Sequence, residues 1–373
     1  MNLDYTEEQK SIKEQIGKLL REQCDITVVR GVIEGKVPDY DRKLWSSLGE
    51  LGWLAAGTPE QHGGMALDPV FLCGMAEELG LALAPVPVAS SVFLAAEIVR
   101  EHGSDEQQQK LLPQLGTGAV IGTFALWEGP GGLRPKVAAQ VRDGKLYGFK
   151  SPVADGVVAD IAVVAAVTAG SKDPALFMVN LDQPGVRRTP LHTMDPTRPA
   201  ARLDFSGARV EPLAATGWAD IEKAVDRAAI FCAFEQVGGA GRALQEAVAY
   251  ANARYAFGRP IGGFQAIRHR LADVCIQVEL ARSNAYHGAW ALNTPGADLP
   301  IAACIARISA TRAFELAARE MLHVHGGFGM TWESDCHLFY RRSRQLAVSL
   351  GGAGDWSDRL VGILDRQPRV RAA

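Results

Sequence analysis

The sequence predicts an α+β protein that is mostly α, with a small β domain between two helical regions. Apolar residues recur at helical spacing up to about residue 118, short apolar runs separated by Gly, Asp and Pro follow, and long amphipathic patterns return from about residue 218. We therefore expect an N-terminal helical domain (1–118), a middle β domain (119–212) and a C-terminal domain formed by a four-helix bundle (213–373).

The N-terminal region carries repeated helix patterns. In residues 7–21, Ile12, Ile16, Leu19 and Leu20 fall on one helical face with charged residues between them. Further helices are predicted at 41–51, 68–83 and 90–101, with Gly and Pro at the joints.

The middle region changes to the pattern of short strands. Apolar runs at 137–141, 145–149, 161–166, 175–180 and 202–205 are bounded by turn residues. Hairpin-like punctuation of this kind favours a small antiparallel sheet.

Long helices are predicted again in the C-terminal region, at 221–254, 264–292, 299–323 and 331–345. They exceed the average helix of about 11 or 12 residues and are joined by short breaks, which is typical of a bundle. A shorter helix at 355–364 and a basic tail end the chain.

The composition is that of an ordinary soluble protein. The chain is 47% apolar and 22% charged, and its net charge of -3 argues against a nucleic-acid partner. No apolar run approaches the roughly 20 residues of a membrane span, and the polar start does not resemble a signal peptide. Six scattered cysteines lack metal spacing, so we predict reduced core thiols, no metal site and a cytoplasmic location.

A Gly-rich break between two predicted helices is the most informative stretch. It runs over residues 253–274, ARYAFGRPIGGFQAIRHRLADV. Arg254 lies at a helix C-terminus, where a cation is favoured, and Gly258, Pro260 and Gly262 force a tight turn. Backbone N–H groups and an Arg fork at such a turn can approach a phosphate. An exposed Arg on a helix hairpin is the alternative that these residues alone leave open.

This break is similar to the R-x-x-F-G-x-P-I-x-x-F-Q-x-I-x-x-x-L-A-D segment of acyl-CoA dehydrogenases. A second block, HGGFGMTWE at 325–333 followed by Tyr340, Arg341 and Arg342, resembles the same family's H-G-G-x-G-x-T-x-E segment. The resemblance implies an FAD held between two subunits, with the ring in one β domain and the ADP part under the neighbour's C-terminal helices.

The ADP side of such a site is largely present. The resemblance implies a pyrophosphate contact, an aromatic packing contact, polar contacts and a Gly pair that admits the cofactor. Where the family usually has Gln, this chain has a histidine, which can also donate and accept hydrogen bonds. The implied residues are Arg254, Phe257, Gln265, His323, Gly326 and Gly327.

The ring side departs from the family pattern. The A-L-T-E-P-x-A-G-S-D loop reads ALWEGPGGLR at 125–134, with Trp127 and Leu133 where the family has hydroxyl groups. The K-x-W-I-T-N-G-x-x-A-D motif reads KSPVADGVVAD at 150–160, with Pro152 for Trp and Ala154 for Thr. We expect a β domain that folds but no longer holds the ring.

A catalytic base is missing from both family positions. One falls on Leu350, or Gly351 after a one-residue slip, and the other on Ala228. The weak candidate is Glu235, for which a place in a buried polar network is the favoured interpretation.

Three functions remain open on these residues: a catalytically silent subunit that completes a partner's FAD site, a self-sufficient acyl-CoA dehydrogenase with a relocated base, and a flavin-free structural homologue. Retained ADP contacts with a lost base favour the first. The resemblance extends to actinobacterial α2β2 enzymes that shorten steroid side chains. It implies a competent acyl-CoA dehydrogenase subunit as partner, an acyl-CoA substrate bound mainly there, and an electron-transfer flavoprotein as electron acceptor.

Overall fold

The computed structural model describes residues 6–214 and 216–366, and it confirms the predicted fold class. In chain order, helices precede the strands, and long helices follow them. The helices are α1 (Glu7–Gln23), α2 (Ile26–Ile33), α3 (Arg42–Glu50), α4 (Pro69–Leu81), α5 (Val88–Ser90), α6 (Glu97–His102), α7 (Asp105–Thr117), α8 (Trp218–Ala253), α9 (Gln265–Asn293), α10 (Leu299–His325), α11 (Cys336–Val348) and α12 (Ala353–Leu364).

Helix starts in the N-terminal region follow from side-chain caps. Asp25 accepts a hydrogen bond from the Thr27 N–H at the start of α2, and Asp41 accepts one from the Leu44 N–H at the start of α3. Ser104 and Gln107 form a reciprocal capping box on α7, which ends at Gly118 in the left-handed region.

The helix predicted at 90–101 is interrupted. Between α5 and α6 the backbone forms a π-helical segment, Ser91–Ala96, in which every residue is buried. Apolar residues fill this stretch on all sides, so its periodicity could not distinguish the wider π-helical turn from an α-helix.

Within the described residues, eight strands form one sheet in the order β6-β7-β3-β2-β4-β5-β8, with β1 paired to β4. The strands are β1 (Gly122–Ala125), β2 (Gln140–Arg142), β3 (Lys145–Ala154), β4 (Ile161–Thr168), β5 (Pro174–Asn180), β6 (Val186–Leu191), β7 (Ala200–Arg209) and β8 (Glu211–Pro212).

The expectation of a purely antiparallel sheet was wrong, because β4 runs parallel to both β1 and β2. Strand β3 also continues beyond its predicted end at residue 149. Its pairing with β7 shifts register between Lys150 and Val153, around Pro152, which has no N–H to donate. Because Pro152 interrupts the strand pattern, the sequence predicted only the first half of β3.

By contacts, the chain separates into two compact units. Of the described residues, one unit contains those up to Ile16, Cys73–Leu83 and those from Ala229 to Arg366; the other contains Gly17–Leu72 and the described residues of Ala84–Ala228. The second unit contains the sheet, whose strand β4 is buried along nearly its whole length. The three domain boundaries drawn from the sequence stay a prediction.

The structure tests the prediction that the cysteines are buried in the core. Cys275 is exposed and Cys232 is half-buried, so the prediction that the cysteines are core residues was wrong for these two. In the part of the chain that the structure describes, no helix has the length and apolar character needed to cross a membrane.

Candidate functional site

The Gly-rich break between α8 and α9 is a tight hairpin. Arg254 directly follows α8, and its carbonyl accepts a hydrogen bond from the Ile261 N–H at 2.8 Å. Between them, β9 (Tyr255–Ala256) pairs with β10 (Arg259–Pro260). Phe257 and Gly258 form the tip, both at positive φ, of 53° and 80°. The spacing of the motif is therefore that of a two-residue turn.

This hairpin presents unsatisfied groups to solvent. Among the described residues, none accepts a hydrogen bond or an ion pair from the Arg254 guanidinium, and none pairs with the Gln265 side chain. Phe257 is 95% exposed. Gln265 opens α9, whose N-cap residue Phe264 supplies no side-chain acceptor. An unpaired guanidinium at the start of the hairpin and free helix N–H groups after its end are both groups that suit an anion such as a phosphate.

The second Gly-rich turn follows α10. Gly326 has φ 62°, a conformation that disfavours other residues, and a Cβ atom on Gly326 or Gly327 would meet nothing within 4 Å. By contrast, a Cβ on Gly329 would lie 2.7 Å from the Leu322 carbonyl oxygen, so packing alone requires that glycine. Internal packing therefore does not require the Gly pair. The backbone of Gly326 and Gly327 is open to solvent on the outside of the turn.

An aromatic stack joins the two turns. The imidazole of His325 lies on the ring of Tyr250 at 3.9 Å, and its Nδ1 is 2.8 Å from the Met321 carbonyl. Tyr250 is one helical turn before Arg254, and its carbonyl accepts the Arg254 N–H. The stack therefore brings the Arg254 hairpin and the Gly326 turn together, although the sequence motifs did not single out either ring.

His323, the substitute for the family glutamine, is exposed and contacts Arg270 on α9. Its Nε2 is 2.9 Å from Nη1 of Arg270, which is held in turn by the buried carboxylate of Glu320. Arg270 and His323 are 53 residues apart, so no local pattern links them.

The ring side of the expected site lies on the sheet and offers little polar chemistry. The indole N–H of Trp127 donates to the Gly132 carbonyl at 3.2 Å and is therefore occupied. Pro152 and Ala154 are exposed on either side of buried Val153. The carbonyl of Ala154 accepts the Thr123 hydroxyl at 2.6 Å. Trp127, Pro152 and Ala154 thus provide no free side-chain donor.

The frame around these positions is held by a buried ion pair. Lys150 is fully buried, with Nζ 2.6 Å from Glu128 and 2.9 Å from the Leu126 carbonyl. The other bonds of Glu128 are to the N–H groups of Ala138 and Ala139. Burial lowers the pKa of Lys150 to about 8, against the opposing effect of Glu128.

Neither family position for the base holds an acid. Ala228 is buried in α8, and Leu350 lies in a turn at φ 58°. Arg307 supports that turn by donating to the Ser349 carbonyl at 2.7 Å.

Glu235 is 4% exposed and pairs with Arg342 at 3.2 Å. Arg342 also donates to the Leu83 carbonyl at 3.0 Å. This buried ion pair favours the structural interpretation of Glu235. Across the described residues, no cluster of three or more His, Cys, Asp and Glu side chains could hold a metal ion.

The residues fit the two ends of FAD unequally. The open turns, the free Arg254 and the exposed Gln265 suit the pyrophosphate and the rest of the ADP part. The apolar Pro152 and Ala154, with an occupied Trp127, do not suit the polar edge of an isoalloxazine ring.

Comparison with known proteins finds relatives of this chain over most of its length. Sequence models of the acyl-CoA dehydrogenase N-terminal and C-terminal domains match residues 6–119 and 215–354. Acyl-CoA dehydrogenase IpdE2 of Mycobacterium tuberculosis is 32% identical over 92% of this chain and 93% of its own.

Two solved structures share the fold over nearly the whole chain. A chain of the ChsE4-ChsE5 complex from Mycobacterium tuberculosis is 30% identical, with a TM-score of 0.90 over 99% of this chain and all of that one. A chain of a variant of the Tcur3481-Tcur3483 steroid ACAD is 29% identical, with a TM-score of 0.88 over 96% of this chain and 98% of that one.

Proposed function

The chain belongs to the acyl-CoA dehydrogenase family, and we propose that it is a catalytically silent subunit that completes the FAD site of a competent partner. One observation carries the proposal. The guanidinium of Arg254 is free at an open turn, while the ring-side positions of the same chain have no free side-chain donor. A chain that retains one half of a divided site is suited to a partner that provides the other half.

In the proposed complex this chain binds and covers the ADP part of the cofactor. Arg254 contacts the pyrophosphate, Gln265 makes a polar contact, and the Gly326–Gly327 backbone lies against the ligand. Phe257 packs over it and excludes water. When bound, FAD would serve as the two-electron oxidant for the α,β-desaturation of the acyl-CoA, and the base that accepts the α-proton would belong to the partner.

The partner is proposed to be a second acyl-CoA dehydrogenase chain with an intact glutamate, in an α2β2 complex that binds the acyl-CoA mainly at the partner's site. Two neighbours named as pairs, ChsE4-ChsE5 and Tcur3481-Tcur3483, support a heteromeric assembly. The second is named a steroid ACAD, which supports a steroid side-chain CoA thioester as substrate. An electron-transfer flavoprotein is the proposed acceptor of the flavin's electrons, and we propose a cytoplasmic location.

The observed pairing argues against a self-sufficient enzyme with Glu235 as relocated base. Its carboxylate is held by the guanidinium of Arg342, and both side chains are almost completely buried. Proton transfer would have to break a buried ion pair in every turnover.

The experiment is a flavin count. This chain is purified alone and with a candidate partner, and bound FAD is measured by absorbance against the mass of each complex in solution. We expect the chain alone to be nearly colourless and the mixed complex to carry one FAD for each pair of unlike subunits. A homo-oligomer of this chain that binds one FAD per subunit would contradict the proposal.

A further inference from the structure

A connected series of three side chains ends at the open Gly326 turn. Glu320, with 4% exposure, lies on α10 one turn before exposed His323. Arg270 on α9 bridges them. His323 is three residues before Gly326, so the series reaches the surface where the proposed ADP part would lie.

The first link fixes the guanidinium. Nη2 of Arg270 donates to one carboxylate oxygen of Glu320 at 3.0 Å, and its Nε is 2.8 Å from the other. One hydrogen bond and one close ion-pair contact to a buried carboxylate limit the rotation of the planar guanidinium. The remaining Nη1 points to His323.

The second link fixes the imidazole. An arginine has donors and no acceptor, so at 2.9 Å the Nε2 atom of His323 must be the acceptor. An imidazole that accepts at Nε2 is neutral and carries its single proton on Nδ1. Nδ1 of His323 has no hydrogen-bond partner among the described residues.

We propose that Arg270 is a positioning residue that holds His323 as a neutral imidazole and thereby aims its Nδ1–H at the ADP part of the cofactor. This inference rests on the proposed function and goes further, since it explains how a histidine replaces the glutamine usual in the family. The amide of glutamine carries donor and acceptor on separate atoms and can rotate to suit the ligand. A histidine needs an external group to set which nitrogen donates.

The consequence is a dependence between positions 270 and 323. Removal of Arg270 frees both ring nitrogens of His323, so the donor is no longer fixed. With glutamine at position 323, the same removal should have little effect, because the amide never relied on Arg270. A purely structural role for Arg270, through Glu320, would cost the same in both cases.

The test is a double-mutant cycle on the mixed complex loaded with FAD. FAD dissociation is followed by flavin fluorescence for the wild type, Arg270→Ala, His323→Gln and the double variant, with solution mass as a check on assembly. We expect Arg270→Ala to weaken FAD retention roughly three- to tenfold, the loss of one hydrogen bond. His323→Gln and the double variant should retain FAD equally well, because the amide does not depend on Arg270.

Arg319→Ala is the matched control. The Arg319 side chain lies 3.7 Å from Glu320 but is exposed and makes no contact with His323, so its loss should leave FAD retention unchanged. An equal loss for Arg270→Ala with His or Gln at position 323, or no loss in either, would overturn the inference.

Arg254→Ala in the same complex distinguishes failure of the proposed role of Arg270 from failure of the proposed shared FAD site. If it weakens FAD retention while Arg270→Ala does not, only the role of Arg270 fails. If neither substitution has an effect in an intact complex, the shared cofactor site itself fails.

Discussion

Among single residues, Glu235 decides between a silent and a self-sufficient subunit. Its carboxylate and the guanidinium of Arg342 are both almost completely buried. Removing one member of such a pair leaves a buried charge without compensation, which costs about 3–5 kcal/mol.

We therefore expect Glu235→Ala to lower the free energy of unfolding by about that amount, and Glu235→Gln to lower it less, since the amide oxygen can still accept from Arg342. Glu246→Gln, which affects only a surface pair with Arg242, is the control and should change stability little. Denaturant unfolding of the complex measures these differences.

The same variants test catalysis. In a complex that remains folded, Glu235→Gln should leave the rate of substrate-dependent flavin reduction nearly unchanged in stopped-flow measurements. Loss of a true base costs on the order of a hundredfold or more. A fall of that size would make Glu235 the base and this chain self-sufficient.

Lys150 provides a prediction in pH. Its folded pKa is about 8, below its ordinary value of 10.5, so between these values the unfolded chain holds a proton that the folded chain has released. The free energy of unfolding therefore gains from this residue as pH rises through that range, by about 1.4 kcal/mol per pH unit at most.

The stability of the wild type minus that of Lys150→Met should therefore increase between pH 8 and 10.5 and be constant below pH 8. Lys145→Met, at an exposed position of the same strand, is the control and should give a flat difference. Unfolding midpoints in denaturant across the range check the slope. A difference that falls with pH would mean that the lysine is better stabilised in its charged form.

Among elements, the contact of α4 with α8 depends on two glycines. A Cβ on Gly80 would lie 1.9 Å from the Glu235 carbonyl oxygen, and one on Gly238 would lie 1.9 Å from that of Glu77. The two backbones approach so closely that no side chain fits between them. This explains Gly238 in the middle of α8, where the helix propensity of glycine is unfavourable.

We expect Gly238→Ala to destabilise the protein by about 3 kcal/mol or more, because backbone atoms of α4 must move. Gly241 lies in the same helix, but a Cβ there would meet only the end of the Arg282 side chain at 3.7 Å. Gly241→Ala should therefore be neutral or stabilising by about 0.5–1 kcal/mol. Thermal unfolding of the two variants makes the comparison, and equal effects would show that the close approach does not limit packing.

The elements differ in how far the sequence could predict them. The long helices α8, α9 and α10 are bounded by segments that contain Gly or Pro, and their predicted ends fall close to the observed ones. Strand β6, VRRTPL, was missed because it has few apolar residues and none of its residues is buried. The parallel pairing of β4 with β1 and β2 depends on long-range topology, which local patterns do not contain.

The residues of the candidate site also differ in how far the sequence could predict them. Arg254 and the Gly pair belong to contiguous motifs, so the sequence could identify them. Arg270 and Tyr250 gain their place through contacts with residues more than 50 positions away, His323 and His325. Such contacts appear only when α8, α9 and α10 are packed together.

At the scale of the whole molecule, the exposed apolar side chains around the two turns indicate an assembly. Phe257 is almost entirely exposed, and Phe328 and Met330 are more than half exposed. Large apolar side chains that project from Gly-rich turns are typical of surfaces that a ligand or a second chain covers. In a divided FAD site, the cofactor and the partner chain would together cover these apolar side chains.

Arg254 tests whether that assembly shares its cofactor. If Arg254 covers the pyrophosphate of an FAD whose ring lies in the partner, then Arg254→Ala should weaken FAD retention in a complex whose partner is unmutated. A charge-assisted bidentate contact contributes about 1.5–3 kcal/mol, so affinity should fall roughly ten- to a hundredfold. Arg254→Lys should recover only part of the loss, because a point charge does not reproduce the planar fork.

Assembly itself should survive this substitution, since the Arg254 side chain has no partner among the described residues and its removal leaves the helices intact. FAD dissociation from the mixed complex is measured together with its mass in solution. Arg312→Ala, which removes an exposed arginine elsewhere on α10, controls for the change in net charge and should leave FAD bound. Unchanged FAD affinity for Arg254→Ala in an intact complex would mean that Arg254 is a surface residue with no role in FAD binding. Both the ring and the ADP part of FAD would then have to be bound without this chain.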